Sequence, residues 1–306
     1  MPLLQFFKSK GPSGFGFGST AEQVTEGLDL AGKTFLVTGV NSGLGQETLR
    51  VLSLRGAKVL GTARTAEKAK AACQAASASA VGFACELSDP HSVAACVAEV
   101  KKTGLKLDGI VANAGIMALP TRELSFGYER QFFTNHIGHF ALVTGLLDRL
   151  AEDGRVVMLS SGAHSMAPAG GIEFDNLAAD RDYSPWKQYG QSKFANLLFA
   201  KELARLFQGT KKTANAVHPG VIRTNLSRHM NPVARVVFAA VGPLFLKSVA
   251  QGAATQVWAA THPSLASTSG QYFADCNIAR AREDSDNEAT AKKLFEVSER
   301  IVAEVK

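Results

Sequence analysis

The sequence predicts an α/β chain built on one doubly wound parallel sheet of about seven strands, with helices on both faces. Three observations predict it. Short apolar runs alternate with stretches of helical spacing roughly 10–20 residues long, the pattern of repeated βαβ units. The runs are apolar almost throughout, as strands are when both sheet faces are covered. No repeat or linker breaks the alternation after residue 30, so residues 31–306 read as one domain behind an N-terminal extension, residues 1–30.

The extension is rich in Gly and Ser up to Thr20 and then carries a short amphipathic piece, AEQVTEGLDL. KTFLVTG (33–39) reads as the first strand and runs into a glycine-rich turn. QETLRVLSLRG (46–56) has helical spacing and stops at glycine. AKVLGTAR (57–64) is the second strand, followed by a helix through AEKAKAACQAA. AVGFAC (80–85) is the third. In SDPHSVAACVAEVKKTG, Ser88 or Asp89 can cap a helix whose first turn suits Pro90. LDGIVANAG (107–115) is the fourth strand, before a long helix over Glu129–Leu150. RVVMLSS (155–161), a helix from about Trp186 to Phe207, and TANAVHPG (213–220) complete the series.

Composition narrows the function. Of 306 residues, 46% are hydrophobic and 20% charged, which suits a globular protein with a sizeable core. The net charge of +6 raises the question of nucleic acid. Yet no block reaches five like charges, and none is interleaved with aromatic residues, so attraction of a phosphorylated small molecule explains the excess better. Four cysteines, Cys73, Cys85, Cys96 and Cys276, show no CxxC spacing and no ligand set beside them. Neither a metal site nor a disulfide framework is indicated, and reduced thiols point to a cytoplasmic location. The N-terminus lacks an apolar stretch followed by a cleavage site. The longest apolar run, about Val233 to Leu246, is interrupted by Arg235, Gly242 and Pro243 and is too short to span a bilayer.

The chemistry concentrates in a few motifs. TGVNSGLG (38–45) joins the first strand to the first helix. Gly39 permits a tight turn, Gly43 lets backbone approach a ligand, and Gly45 allows close helix–strand packing, while the helix N-terminus offers N–H groups to a pyrophosphate. Downstream, YGQSK places Tyr189 and Lys193 four residues apart, on one helical face. At that separation an ammonium stands beside a phenol and favours the phenolate. Arg64 follows Ala63 at the end of the second strand, where an acid would bind a ribose 2′-OH. A guanidinium there suits a 2′-phosphate; the plain alternative is a solvated surface arginine.

TGxxxGxG, NAG at 113–115, Asn135 in FFTNHIGHF, the serines at 160–161, YGQSK and HPGVIRT (218–224) occur in order, each on its expected element. Together they resemble the short-chain dehydrogenase/reductase family, whose domain is of the Rossmann type. The resemblance implies an NADP(H)-dependent oxidoreductase, with NAD(H) second, acting between a ketone or aldehyde and an alcohol. It implies Asn135, Ser161, Tyr189 and Lys193 as catalytic residues: Tyr189 the acid or base, Ser161 (rather than Ser160) on the carbonyl oxygen, Lys193 on the nicotinamide ribose, Asn135 holding a relay water. It implies cofactor contacts from Gly39, Asn41, Ser42, Gly43, Leu44, Gly45, Arg64, Asn113, Ala114, Gly115, Tyr189, Lys193, Pro219, Gly220, Val221 and Thr224. Glu86 and Leu87 stand where the family often has Asp-Leu on the adenine, so the Glu86 contact is open. His136, His139 and His164 read as packing or backbone-bonding residues.

The 27 residues between Ser161 and Tyr189 are longer than in compact members. With TNHIGHF, SSGAH and SKFANLLFAKEL, this insert is similar to the branch of retinol dehydrogenases and the WW-domain-containing oxidoreductase. Residues 226–250 occupy the family's mobile substrate lid, and Val236, Val237, Phe238, Leu244, Phe245 and Leu246 could line an apolar pocket or touch a membrane surface or second subunit. Either way an apolar carbonyl or alcohol is the expected substrate. A homo-oligomer, peripheral membrane contact and organellar association stay open, as does a second reading, a dinucleotide-binding redox sensor docked on a protein complex. Such sensors commonly lose the Tyr or Lys, and this chain keeps both.

Overall fold

The computed structural model describes residues 10–222 and 246–305. In chain order the strands are β1 (Thr34–Thr38), β2 (Lys58–Ala63), β3 (Val81–Ala84), β4 (Leu107–Ala112), β5 (Leu124–Ser125), β6 (Tyr128–Glu129), β7 (Leu150–Leu159), β8 (Thr213–His218), β9 (Tyr272–Ala274) and β10 (Asn277–Ile278). Among the described residues the main sheet has eight strands, in the spatial order β10-β9-β8-β7-β4-β1-β2-β3. Every neighbouring pair is parallel except β10 on β9. β5 and β6 form a separate antiparallel ribbon. The chain winds outward from β1 to β3, then returns to β4 and winds the other way. That reversal leaves a crevice beyond the C-terminal ends of β1 and β4, the place where open α/β sheets bind ligands.

The helices are α1 (Gly43–Leu54), α2 (Ala66–Ala76), α3 (Pro90–Lys102), α4 (Arg130–Phe132), α5 (Gly138–Leu146), α6 (Pro185–Leu206), α7 (Val249–Thr261) and α8 (Glu288–Glu304). Side chains of successive strand residues point to opposite faces, and both faces are buried. Leu36 and Ile110 join one cluster with Val93, Phe140, Phe194 and Leu294 from α3, α5, α6 and α8. Phe35, Val37 and Val111 join the other with Leu49, Cys73 and Val257 from α1, α2 and α7. The continuous apolar runs of β1 and β4 are the direct consequence. Residues 10–30 lie against the second cluster: Ala21 and Val24 are buried in it, and the Ala21 N–H donates to the Ala250 carbonyl at 2.9 Å.

Three details differ from the sequence reading, and one choice that it left open is resolved. The sheet gains β9 and β10, runs of three and two residues too short to carry a periodic signal. Helix α1 starts inside the glycine loop, at Gly43 rather than Gln46. The helix expected over Glu129–Leu150 is α4, a π-helical turn (Phe133–Ile137), α5 and a 3-10 turn (Leu147–Arg149), and Leu150 already belongs to β7. Asp89, not Ser88, caps α3, accepting from the His91 N–H at 3.0 Å, while Ser88 hydrogen-bonds Glu86. Of the expected lid, 226–250, residues 226–245 lie outside the described residues. Leu246 is buried, and 249–250 already belong to α7, which a Ser248–Gln251 capping box starts. The four cysteines are free and buried. Among the described residues no helix is long and apolar enough to cross a membrane.

Candidate active site

The loop after β1 is shaped by its glycines. Gly39 has φ +74° and Gly43 φ +57°, left-handed conformations that cost little only in glycine. A Cβ on Gly45 would stand 2.2 Å from the Gly39 carbonyl oxygen and 2.6 Å from Asn113 Nδ2, so α1 can close on the loop only without one. A Cβ on Gly43 would meet nothing within 4 Å, and Ser42, at the N-cap, makes no side-chain bond to the first turn. The N-terminus of α1 thus faces open space at the crevice. Asn41 and Ser42 are exposed, and Leu44 is partly buried against the side of α7 near Gly252.

The opposite wall is Asn113–Ala114–Gly115, past the end of β4. Thr38 Oγ1 accepts from the N–H groups of Asn113 and Ala114, both at 2.9 Å, and Asn113 Nδ2 donates to the Thr38 carbonyl at 2.8 Å. Asn113 Oδ1 takes Gln256 Nε2 from α7 at 3.0 Å. The three bonds to Thr38 fasten the end of β4 to the end of β1, and the Gln256 bond fastens it to α7.

Asn135 lies in the π-helical turn, a local irregularity frequent at functional sites. Its Oδ1 accepts from the Ile116 N–H at 2.8 Å, and its Nδ2 donates to the Ile116 carbonyl and to Ser192 Oγ, both at 2.9 Å. Space at Gly115 is bounded by Asn135 Oδ1 and Lys193 Nζ, 3.0 and 3.3 Å from where a Cβ would stand. Lys193 is buried on α6, and its Nζ donates to the Leu159 carbonyl at 3.0 Å. One turn back on the same face, Tyr189 has its ring centroid 5.8 Å from Lys193 Nζ. Ser161 follows β7, its hydroxyl oxygen accepts from the Ala163 N–H at 3.1 Å, and it lowers the pKa of the Tyr189 phenol. Ser160 is turned away, fully buried, and donates to the Lys193 carbonyl at 2.8 Å.

Burial sets the electrostatics. It pulls the Lys193 ammonium down to about 8 and pushes the Tyr189 phenol up to about 12, with the Ser161 hydroxyl opposing the rise. The direction for Tyr189 is the reverse of what a lysine one turn away suggests. Desolvation of the phenolate outweighs attraction to an ammonium that is itself being desolvated.

The remaining expected residues that are described follow the C-terminal ends of β2, β3 and β8. Arg64 is exposed just past β2. Glu86 turns to Ser88, its Oε1 accepting from the Ser88 N–H at 3.1 Å and hydroxyl at 2.8 Å, so this carboxylate is engaged locally. Leu87 is buried, and its carbonyl packs where a Cβ on Gly138 would stand at 2.2 Å. Pro219 is buried, Gly220 has φ +89° and Val221 is exposed. Thr224 lies outside the described residues.

Comparison with known proteins agrees with this geometry. The family model for short chain dehydrogenase matches residues 33–234. The chain belongs to the short-chain dehydrogenase/reductase family. Its relatives place it in the retinol dehydrogenase-like branch of these oxidoreductases. Short-chain dehydrogenase TIC 32 A, chloroplastic, of Brassica napus is 38% identical over 306 residues, 95% of each chain. Retinol dehydrogenase 14 of Mus musculus is 36% identical over 90% of this chain and 88% of its own. Among solved structures, an uncharacterized protein from Mycobacterium Paratuberculosis superposes with a TM-score of 0.74 at 32% identity, covering 94% of this chain and 98% of that one. A blue fluorescent protein from a metagenomic library, in complex with NADPH, gives 0.65 at 25% identity, covering 80% and 96%.

Within this short-chain dehydrogenase the sequence reading passed over two residues that shape the site. Thr38 was read only as the lead-in to the glycine turn, yet its hydroxyl is the hub of the crevice wall. Trp186, one turn before Tyr189 and T-shaped to it at 6.1 Å between centroids, is 48% exposed. Its spacing of three from the tyrosine was the available signal.

Proposed function

We propose that the protein is an NADP(H)-dependent carbonyl reductase or alcohol dehydrogenase for apolar substrates, with Tyr189 as general acid in reduction and base in oxidation. One observation carries the reading: Ser161, Tyr189, Lys193 and Asn135 converge beside the mouth of the glycine loop. The open N-terminus of α1 and the glycines that let it close on β1 fit a pyrophosphate. A bound nicotinamide dinucleotide supplies or accepts the hydride. Gly39, Asn41, Ser42, Gly43, Leu44 and Gly45 would hold its phosphates, Asn113, Ala114 and Gly115 its central span, and Pro219, Gly220 and Val221 its nicotinamide end. Arg64, exposed at the end of β2, supports a 2′-phosphate and hence NADP(H); the NADPH-bound structural relative is consistent with it.

Negative charge grows on the substrate oxygen during reduction, and a donor placed there lowers the barrier. Ser161 and Tyr189 are the two hydroxyls that meet, and the elevated phenol stays protonated at neutral pH, ready to give its proton. Lys193 keeps a positive charge behind the phenol and stabilises the tyrosinate left after transfer. Asn135, fastened to Ile116, fixes the floor on which Lys193 Nζ stands. For the substrate, the exposed apolar side chains of Trp186, Met166 and Val221, on three elements around the site, favour an apolar carbonyl. Relatives named retinol dehydrogenase support an apolar alcohol as its counterpart. Four free, buried cysteines suit a reducing compartment such as the cytoplasm.

The test is a titration with NADPH and NADH, then a panel of apolar aldehydes and ketones followed at the nicotinamide absorbance. Tight NADPH binding with turnover is the expected result, and Tyr189→Phe should keep the binding and lower turnover by about 10²–10⁴-fold. Tight binding without turnover across the panel would overturn the enzyme reading in favour of a redox sensor.

A further inference from the structure

His139 is fully buried on α5, four residues after Asn135, and both ring nitrogens are engaged. Nδ1 lies 2.8 Å from the Asn135 main-chain carbonyl oxygen. A carbonyl can only accept, so Nδ1 carries the proton and Nε2 is an acceptor. Thr38 Oγ1, 2.9 Å from Nε2, therefore donates its hydrogen there. The same assignment satisfies Thr38, whose lone pairs take the N–H groups of Asn113 and Ala114. Every donor in this chain thus has one acceptor, with no alternative tautomer that keeps all four bonds. Burial holds the imidazole neutral, its pKa lowered to about 4.

The three groups this ring joins belong to different parts of the site. Thr38 is the last residue before the Gly39 turn. Asn113 and Ala114 form the opposite wall. Asn135 holds Ile116 through its side chain and borders Lys193 Nζ at Gly115. We propose that His139 is a positioning residue, a neutral Nδ1–H strut that fixes the π-helical turn carrying Asn135 against the β1–β4 crevice and so sets where Lys193 and Tyr189 stand relative to the nicotinamide. This rests on the carbonyl-reductase reading of the same site.

Three variants separate its two arms. His139→Asn keeps an amide on the Asn135 side and gives up Thr38; His139→Gln reaches Thr38 and gives up Asn135; His139→Phe fills the space and loses both. Misplacement of reacting groups by about 1 Å costs about 10²-fold in rate, so kcat should fall roughly 100-fold in the Phe variant and about tenfold in each amide variant. KM for the carbonyl and Kd for NADPH should move less than about threefold. Nitrogen-15 spectra of the wild-type imidazoles should show a ring in the Nδ1–H form that does not titrate between about pH 8 and 5 and that vanishes in His139→Gln. An Nε2–H tautomer for that ring overturns the proposal. So does wild-type kcat in any variant that has lost both bonds and is still folded, because a purely structural role would lower melting temperature alone. Should His139→Phe not fold, wild-type kcat in both folded amide variants overturns the proposal instead. If the wild type binds NADPH and turns nothing over, the enzyme reading fails, and the tautomer alone decides the strut.

Discussion

The glycine at 45 offers the sharpest test of how the cofactor loop is built. Gly45→Ala would place a methyl group 2.2 Å from the Gly39 carbonyl oxygen and 2.6 Å from Asn113 Nδ2. Ordinary contact is about 1 Å longer, and neither obstruction yields easily: one is backbone, and the other is tied to the Thr38 carbonyl at 2.8 Å. The cost belongs at the upper end of the overpacking range, about 3 kcal/mol. For a chain of this size that corresponds to a fall of about 5 °C in melting temperature. Because α1 must back away from β1, NADPH affinity should fall at least about tenfold, which is about 1.4 kcal/mol. Gly43→Ala is the control. Its methyl would meet nothing within 4 Å, and only the strain of φ +57° remains, about 1–2 kcal/mol. That variant should melt within about 4 °C of the wild type while still weakening NADPH, because its methyl enters the space assigned to the phosphates. Differential scanning fluorimetry and a fluorescence titration with NADPH read both quantities. A Gly45→Ala protein with wild-type melting temperature and NADPH affinity would refute the claim that close packing of α1 on the loop is why glycine is there.

Other perturbations reach the rest of the site. Arg64→Asp should lower the NADPH-to-NADH preference by about tenfold or more, measured as the ratio of the two dissociation constants; an unchanged ratio means another residue reads the phosphate. Carbonyl reduction should stay flat through neutral pH and decline as pH rises through about 8, where buried Lys193 loses its proton, while the Tyr189 phenol at about 12 remains protonated. The sign follows from the role proposed for Lys193 as the charged partner of the nascent tyrosinate, whose stabilisation its deprotonation would remove. A pH profile of kcat/KM with no break between about pH 7 and 9 would contradict it. Trp186→Ala should raise KM about 5–30-fold for bulky apolar carbonyls, from loss of roughly 1–2 kcal/mol of apolar contact. It should leave NADPH affinity and small aldehydes nearly unchanged, and equal losses on small and large substrates would remove Trp186 from the substrate wall.

How much of this was legible in the sequence depends on whether the property is local. The strand–helix alternation and the TGxxxGxG turn are local patterns, and β1, β2, β3, β4 and β8 fall where the apolar runs place them, while β7 covers its run and starts earlier, at Leu150. The two short strands β9 and β10 and the π-helical turn were not legible. Their backbone is decided by partners far along the chain: β9 pairs with β8, and His136 and His139 in and after the π turn bond Ser298 and Thr38. The choice between Ser160 and Ser161 needed the resemblance to a family. Both serines follow the same apolar run, and only the packed structure shows one hydroxyl spent on the Lys193 carbonyl and the other turned to Tyr189.

The Tyr189–Lys193 pair shows the same boundary in electrostatic terms. A spacing of four residues establishes proximity, and proximity alone argues that the ammonium lowers the phenol. The sign of the outcome depends on how much water the two groups lose, which the spacing does not encode. Both are driven toward their neutral forms, the phenol up to about 12 and the ammonium down to about 8. A protonated phenol beside a cation that is still charged at neutral pH is the arrangement of an acid, not of a base. It needs a growing negative charge to give its proton to, and a carbonyl accepting hydride supplies one. The reverse reaction would require the phenolate first, at a cost of about 1.4 kcal/mol for each pH unit below the phenol's pKa. On the proposed carbonyl-reductase reading, burial makes reduction the faster direction at neutral pH, and rising pH should speed oxidation until Lys193 loses its charge.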